Sequence, residues 1–206
     1  MPQQDRARRT FERVLDAGAE LLAEHGYEGF SMSEVCRRAA VSPGALYDRV
    51  DGKDALFLAV HERELERITR AAEAEFAPSP RWTGLTTADL VVEAIRALAE
   101  HYLREQDLLK AFILRAAVDD RVRSEGSRIA RRTTAAVTAL LLTRAGDYPH
   151  PDPESAVRTA YRMAFDSLSW RTAFGLDFAA TDEETSEHWV EQLCAICRSY
   201  LLPAPA

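Results

Sequence analysis

Cysteine is scarce in this chain: Cys36, Cys194 and Cys197 are the only three among 206 residues. That number excludes a disulfide scaffold, and an odd count fits a reducing compartment. Long apolar runs are missing as well. No stretch of eighteen apolar residues occurs, and the N-terminus, MPQQDRARRTFERV, is charged where a signal peptide turns apolar. The expected location is the cytoplasm, with no membrane partner. Lysine is confined to Lys53 and Lys110, so nearly all 26 basic residues are arginine. Nor is there an excess of positive charge: the chain is net -7, with 11 basic against 13 acidic residues in 1–70 and 15 against 20 beyond. A protein basic throughout is excluded, and local placement must decide any nucleic-acid contact. HExxH, P-loop, GxSxG and dinucleotide fingerprints are all absent, so nothing marks an enzyme. The Cys194-to-Cys197 CxxC has no second ligand pair and the five histidines are scattered, so neither a metal nor another cofactor is expected.

What is present is helical periodicity, on a 47% hydrophobic composition that suffices for a packed core. In RARRTFERVLDAGAELLAEHGYEGF, Phe11, Val14, Leu15, Ala19, Leu21 and Leu22 recur at three-to-four spacing and Gly26 supplies a stop, which predicts a helix over about 6–25. Ser31, followed three residues on by Glu34, has the spacing of a capping box and opens a short helix over 32–39. Ser42 can cap again, with Pro43 at the first helical position, and a third helix ends near Arg49. Between these two lie only Ala40 to Ser42, the length of a helix-turn-helix connection. From Lys53, the pattern Leu56, Phe57, Val60, Leu65, Ile68, Ala72 and Phe76 predicts a fourth helix, which APSPRWTG breaks near 77–84. Further helices are predicted over about 86–104, 106–118, 125–145, 154–174 and 183–201, with GDYPHPDP and GLDFAATD as breakers. No β-alternating run, internal repeat or low-complexity tract appears, and the expected fold class is all-α.

The third helix poses a question, because two turns bury little surface and are marginal alone. Leu46 and Val50 give it one apolar stripe, with Val35, Ala39 and Val41 as expected partners. Its other face is left nearly bare by Gly44 and Ala45, with Tyr47, Asp48 and Arg49 as polar reach. Such a helix suits end-first insertion into the major groove, with Ser31, Ser33 and Ser42 and the backbone N–H groups at the helix starts as phosphate ligands. Arg6, Arg8 and Arg9 supply a basic arm, and Lys53 one further cation. On spacing alone, packing is the more usual role of such a helix in an all-α protein.

FSMSEVCRRAAVSPGALYDRVDGKDALF, together with the upstream Leu22, Gly26 and Tyr27, closely resembles the helix-turn-helix signature of the TetR family of bacterial transcription regulators, over about residues 10 to 60. By that resemblance Ser31 takes the place of the family's usual Thr, Ala40 that of a common Gly, Tyr47 that of the recurrent recognition-helix Tyr, and Lys53 that of the phosphate-contacting Lys. Two positions depart from the pattern. Asp48 stands where an aromatic residue is common, and Arg49 and Val50 replace a frequent His-Phe pair, which bears on the operator sequence rather than on DNA binding. Pro43, Gly44 and Ala45 offer only apolar or backbone contact, so affinity is expected to rest on phosphate and DNA shape. The resemblance implies a division into 1–52 (helix-turn-helix DNA-binding domain), 53–76 (connecting helix) and 77–206 (helical effector-binding and dimerisation domain). It implies a repressor released from a palindromic operator on double-stranded DNA by a small-molecule effector of unknown identity.

One such unit reads too few base pairs to find a site in a genome, so a homodimer is expected. The helices near 154–174 and 183–201 are apolar on two faces, which calls for two packing partners. Met163, Phe174, Val190, Cys194, Cys197 and Leu201 are assigned to the dimer interface. For the effector site that the resemblance implies, Tyr102, Phe112, Arg115, Tyr161, Phe165 and Trp170 are the candidate lining, with Arg115 as a polar anchor. A ligand-enhanced regulator, a redox response of Cys194 and Cys197, and, in a different class, a helical-bundle enzyme or adaptor are the alternatives.

Overall fold

The computed structural model describes residues 2–175 and 185–203. Among them nine α-helices and two short 3-10 turns occur, and no strand. The helices are α1 (Pro2–Gly29), α2 (Met32–Ala39), α3 (Pro43–Tyr47), α4 (Gly52–Phe76), α5 (Thr87–Arg104), α6 (Gln106–Ala116), α7 (Asp120–Leu142), α8 (Pro153–Phe174) and α9 (Ser186–Leu201). The GLDFAATD breaker and the first residues expected for the last helix lie largely outside the described residues. No helix among those described is long and apolar enough to cross a membrane.

Packing groups the chain into two compact units. One comprises Met1–Ile68 with Gln106–Ser127, the other Thr69–Glu105 with Arg128–Ala206. This grouping differs from the sequence division at 52 and 77, because α6 and the start of α7 pack with the N-terminal helices. Chain order hides that allegiance.

In the first unit, Leu21, Leu22, Phe30, Val35, Leu46, Leu56, Phe57 and Val60 are all buried. They are the apolar positions of the predicted helices, and their burial is the dominant stabilising term. A Cβ at Gly18 would stand 2.7 Å from Val60 Cγ2, so α1 and α4 cross at a point that only glycine permits. Gly26 departs from helical geometry (φ 63°), which breaks α1 where the sequence placed its stop and leaves 27–29 as a separate turn. Arginines lock the helices together. Arg38 binds Glu24 through both terminal nitrogens (2.8 and 2.6 Å) and Glu34 through Nε (3.2 Å), and Arg63 reaches Asp16 (2.7 Å), Glu12 (3.3 Å) and Glu64 (2.6 Å).

The second unit is built on a core from α5, α8 and α9, with Leu90, Val91, Ile95, Leu98, Leu168 and Leu201 fully or almost fully buried. At its edge the predicted breaker folds as a 3-10 turn, Pro80–Trp82, whose indole stacks on Phe76 (6.1 Å, 15°) and donates to the Glu75 carbonyl at 3.2 Å. Cys194 and Cys197 lie in this core, and burial pushes their thiols up to about 11 and about 12 respectively. Both are protonated at neutral pH and lack the thiolate character that oxidative sensing requires.

Candidate nucleic-acid interface

Ser31 caps α2 as its spacing predicted, its Oγ accepting from the Glu34 N–H at 3.3 Å. The reciprocal half of the capping box is not made. The Glu34 carboxylate turns instead to Arg37 and Arg38, whose hydrogen bonds hold it well below its usual range, at about 2. After α2 the chain reverses at Ala40, which sits in the left-handed region (φ 52°, ψ 50°), while the Val41 N–H returns to the Cys36 carbonyl at 3.0 Å. A non-glycine residue there costs roughly 1–2 kcal/mol. Ala40→Gly is therefore expected to raise stability by about 0.5–1 kcal/mol, read by thermal unfolding, the gain being trimmed by the greater freedom of glycine in the unfolded chain.

Ser42 caps α3, accepting from the Ala45 N–H at 3.3 Å, and Pro43 opens the helix. The helix is shorter than expected, five residues ending at Tyr47. Leu46 is 0% and Val50 8% exposed, and they seat the segment in a core that also buries Val35 and Ala39. Every other residue from Ser42 to Arg49 is exposed, Tyr47 by 58%. One stripe anchors and the rest faces outward, with Gly44 bare: a Cβ there would meet nothing within 4 Å.

Cations and hydroxyls flank this helix. Arg49 reaches back over the Phe11 ring of α1 (5.8 Å), and Lys53, opening α4, stands over the Tyr27 ring (4.2 Å). Ser33 is exposed, with its Oγ 3.4 Å from that of Ser31. Arg6, Arg8 and Arg9 are exposed on the first turns of α1, and no ion pair ties them to another described residue. Arg6, Arg9 and Arg13 line a concavity of about 400 Å³ with Asp5 and Thr10. Arg13 was not among the sequence candidates; its Nε donates to the Ala39 carbonyl at 3.3 Å, at the C-terminus of α2. Its only sequence signal is a basic residue one turn beyond the arm. Most other arginines of this unit are engaged with carboxylates, whereas Arg6, Arg9 and Arg13 gather at one concavity.

The expected effector residues are divided between the two units. Tyr102, Tyr161 and Phe165 come together in the second unit, with the Phe165 ring 6.0 Å from each tyrosine. Burial raises both phenols, Tyr161 to about 12 and Tyr102 higher. Trp170 belongs to that unit but is 55% exposed and lies against Phe174 (4.4 Å). Phe112 and Arg115 belong to the first unit. Phe112 packs on His61 and Phe57, and Arg115 binds Asp119 at 3.1 Å.

The residues assigned to the dimer interface differ in exposure. Met163 and Phe174 are exposed, but Val190, Cys194, Cys197 and Leu201 are buried in the core of the second unit. The large apolar residues of α9 that turn outward are Ile196 and Tyr200, while Leu193, one turn before Ile196, is buried. Both stripes of that helix are apolar, so periodicity alone could not say which turns inward.

Residues 14–60 match the family model described as bacterial regulatory proteins, tetR family. The HTH-type transcriptional regulator UidR of Escherichia coli is 31% identical over 110 residues, 52% of this chain and 51% of that protein. The chain thus spans about half the length of this curated relative. Among solved structures, a tetR-family regulator of Mesorhizobium loti superposes with a TM-score of 0.75 at 17% identity, covering 95% of this chain and 96% of that one. FadR of Bacillus subtilis, solved with stearoyl-CoA, gives 0.65 at 15% identity over 95% of this chain and all of that one. These likenesses carry the fold across the chain, beyond the N-terminal match.

Proposed function

We propose that the protein is a DNA-binding transcriptional regulator of the tetR family, whose model residues 14–60 match, acting as a two-fold dimer on a palindromic operator. The observation that carries this reading is α3: anchored by Leu46 and Val50, it leaves Pro43, Gly44, Ala45, Tyr47 and Arg49 outward between capped helix starts and cations. Helix N-termini and serine hydroxyls bind phosphate, while the bare first turn allows close approach to base edges. Work on DNA places the protein in the cytoplasm.

Dimerisation is assigned to the exposed apolar faces of α8 and α9, namely Met163, Trp170, Phe174, Ile196 and Tyr200. Paired with their copies, these two helices make a four-helix bundle. Ile196→Glu is expected to shift the protein from dimer to monomer in sedimentation velocity and to weaken operator binding about tenfold, because two half-sites then bind independently. An unchanged sedimentation coefficient would place the interface elsewhere.

The effector site is assigned to the Tyr102, Tyr161 and Phe165 cluster, which suits an apolar or aromatic ligand carrying a group that meets a phenol hydroxyl. The protein is read as a repressor that the ligand releases. A coupling of about 1–3 kcal/mol between ligand and DNA changes DNA affinity roughly 5 to 150-fold. Selection from a random duplex library tests the whole reading. An enriched palindrome with half-sites about one helical turn (34–36 Å) apart supports it, and a pool that never enriches contradicts it.

A further inference from the structure

Tyr27 lies just past the Gly26 break in α1, and its half-buried ring receives two cations. Lys53 Nζ stands 4.2 Å and Arg115 Cζ 4.0 Å from the ring centroid. The Tyr27 hydroxyl donates to Asp54 Oδ1, and Arg115 Nη2 lies 3.7 Å from that same oxygen. Arg115 also binds Asp119 Oδ2 at 3.1 Å, while Asp119 Oδ1 accepts from the Arg121 and Val122 N–H groups (3.0 and 3.3 Å) and so caps α7. One guanidinium thus gathers the ends of α1, α4, α6 and α7. Burial raises the Tyr27 phenol and the Val122 N–H lowers the Asp119 carboxyl, so the hydroxyl keeps its proton and Asp119 its charge at neutral pH.

Lys53 is the cation of this cluster that has the least to hold it. A lysine stem in water samples many rotamers, and docking on phosphate must freeze them. The ring removes part of that freedom beforehand through cation–π attraction. Asp54 is the adjacent residue, and a carboxylate not bound elsewhere would compete with phosphate for the lysine. Tyr27 and Arg115 occupy that carboxylate.

We propose that Arg115 is a positioning residue for DNA contact: by holding the Tyr27 ring and the Asp54 carboxylate, it keeps Lys53 available to the DNA backbone. The inference rests on the DNA-binding reading above. It also gives the C-terminal end of α6 a direct influence on DNA affinity within the first unit.

A double-mutant cycle on the full-length protein with duplex DNA tests it, using Arg115→Gln, Lys53→Gln and the pair. Arg115→Gln is expected to weaken binding about five- to tenfold in the native background, but less than about twofold once Lys53 is Gln. The slope of log affinity against log salt should fall by about 0.9 in either single variant and no further in the double, as for one lost phosphate contact. Arg115→Lys keeps a cation over the ring and should recover much of the loss. Tyr27→Phe keeps the ring but releases Asp54, and it carries the same cycle should Arg115→Gln fail to fold. Equal losses in both Lys53 backgrounds, or no loss at all, would overturn the proposal alone. Failure of the wild-type protein to bind any DNA would overturn the functional reading and the proposal with it.

Discussion

Gly44→Glu is expected to lower DNA affinity about 100-fold, close to 2.7 kcal/mol, while leaving the thermal midpoint where it was. The two halves of this result have separate physical grounds. In the free protein, a side chain at position 44 points into open space, since its Cβ would meet nothing within 4 Å. The position is the second residue of α3, where a carboxylate interacts favourably with the helix N-terminus and any L-residue relieves the entropic cost of helical glycine. Stability therefore holds or rises slightly. On DNA, the same carboxylate would be brought against base edges and phosphates at the point of closest approach. Gly44→Ala is the control and should bind within a few-fold of wild type. Undiminished affinity in Gly44→Glu would mean that this face of α3 meets no DNA, and a fall in both affinity and midpoint would trace the loss to folding.

The second large effect concerns acid. His61 is 1% exposed, stacked on Phe57 (5.8 Å, 22°) with its ring set edge-on to Phe112 (4.8 Å, 80°). Burial disfavours the imidazolium and outweighs the opposing pull of Glu125 and Asp119, which places the folded pKa at about 4. In the unfolded chain the same group titrates near 6.5. Between those values the unfolded state binds a proton that the folded state refuses, so the contribution is intact above pH 6.5 and is lost as pH falls toward 4. The loss reaches about 2 kcal/mol by pH 5 and about 3 kcal/mol at its limit. His61→Leu fills a similar place with no titrating group. Urea unfolding at pH 7 and pH 5 should show a smaller drop in stability for the variant than for wild type, by that amount. Equal drops would mean that the ring takes up its proton in the folded state.

Why some of this architecture was legible from sequence, and some not, follows from the range of the interactions. The caps at Ser31 and Ser42, the Pro43 start and the reversal after α2 depend on neighbours within three or four residues, so spacing reveals them. The outward face of α3 could be read for the same reason, because Leu46 and Val50 can only turn one way into a core. Pairings across the fold were hidden. Nothing near Arg115 in sequence announces Tyr27 or Asp54, and an arginine on an apolar helix looks alike whether it waits for a ligand or clamps a tyrosine. Likewise Val190, Cys194, Cys197 and Leu201 compete with Ile196 and Tyr200 on one short helix, and only the shape of the surrounding core decided which stripe was buried. The 47% hydrophobic composition was enough for two units but carried no hint that α6 would join the first.

The most direct test of the central claim is a fluorescence anisotropy titration of the wild-type protein against duplex DNA flanking its own coding sequence and against random duplex of equal length, across a salt series. The account predicts saturable, tighter binding to the flanking DNA, with log affinity falling linearly as log salt rises by about 0.9 for each phosphate contacted. Binding to neither duplex even at the lowest salt would contradict it and reduce the short helix α3 to a packing element.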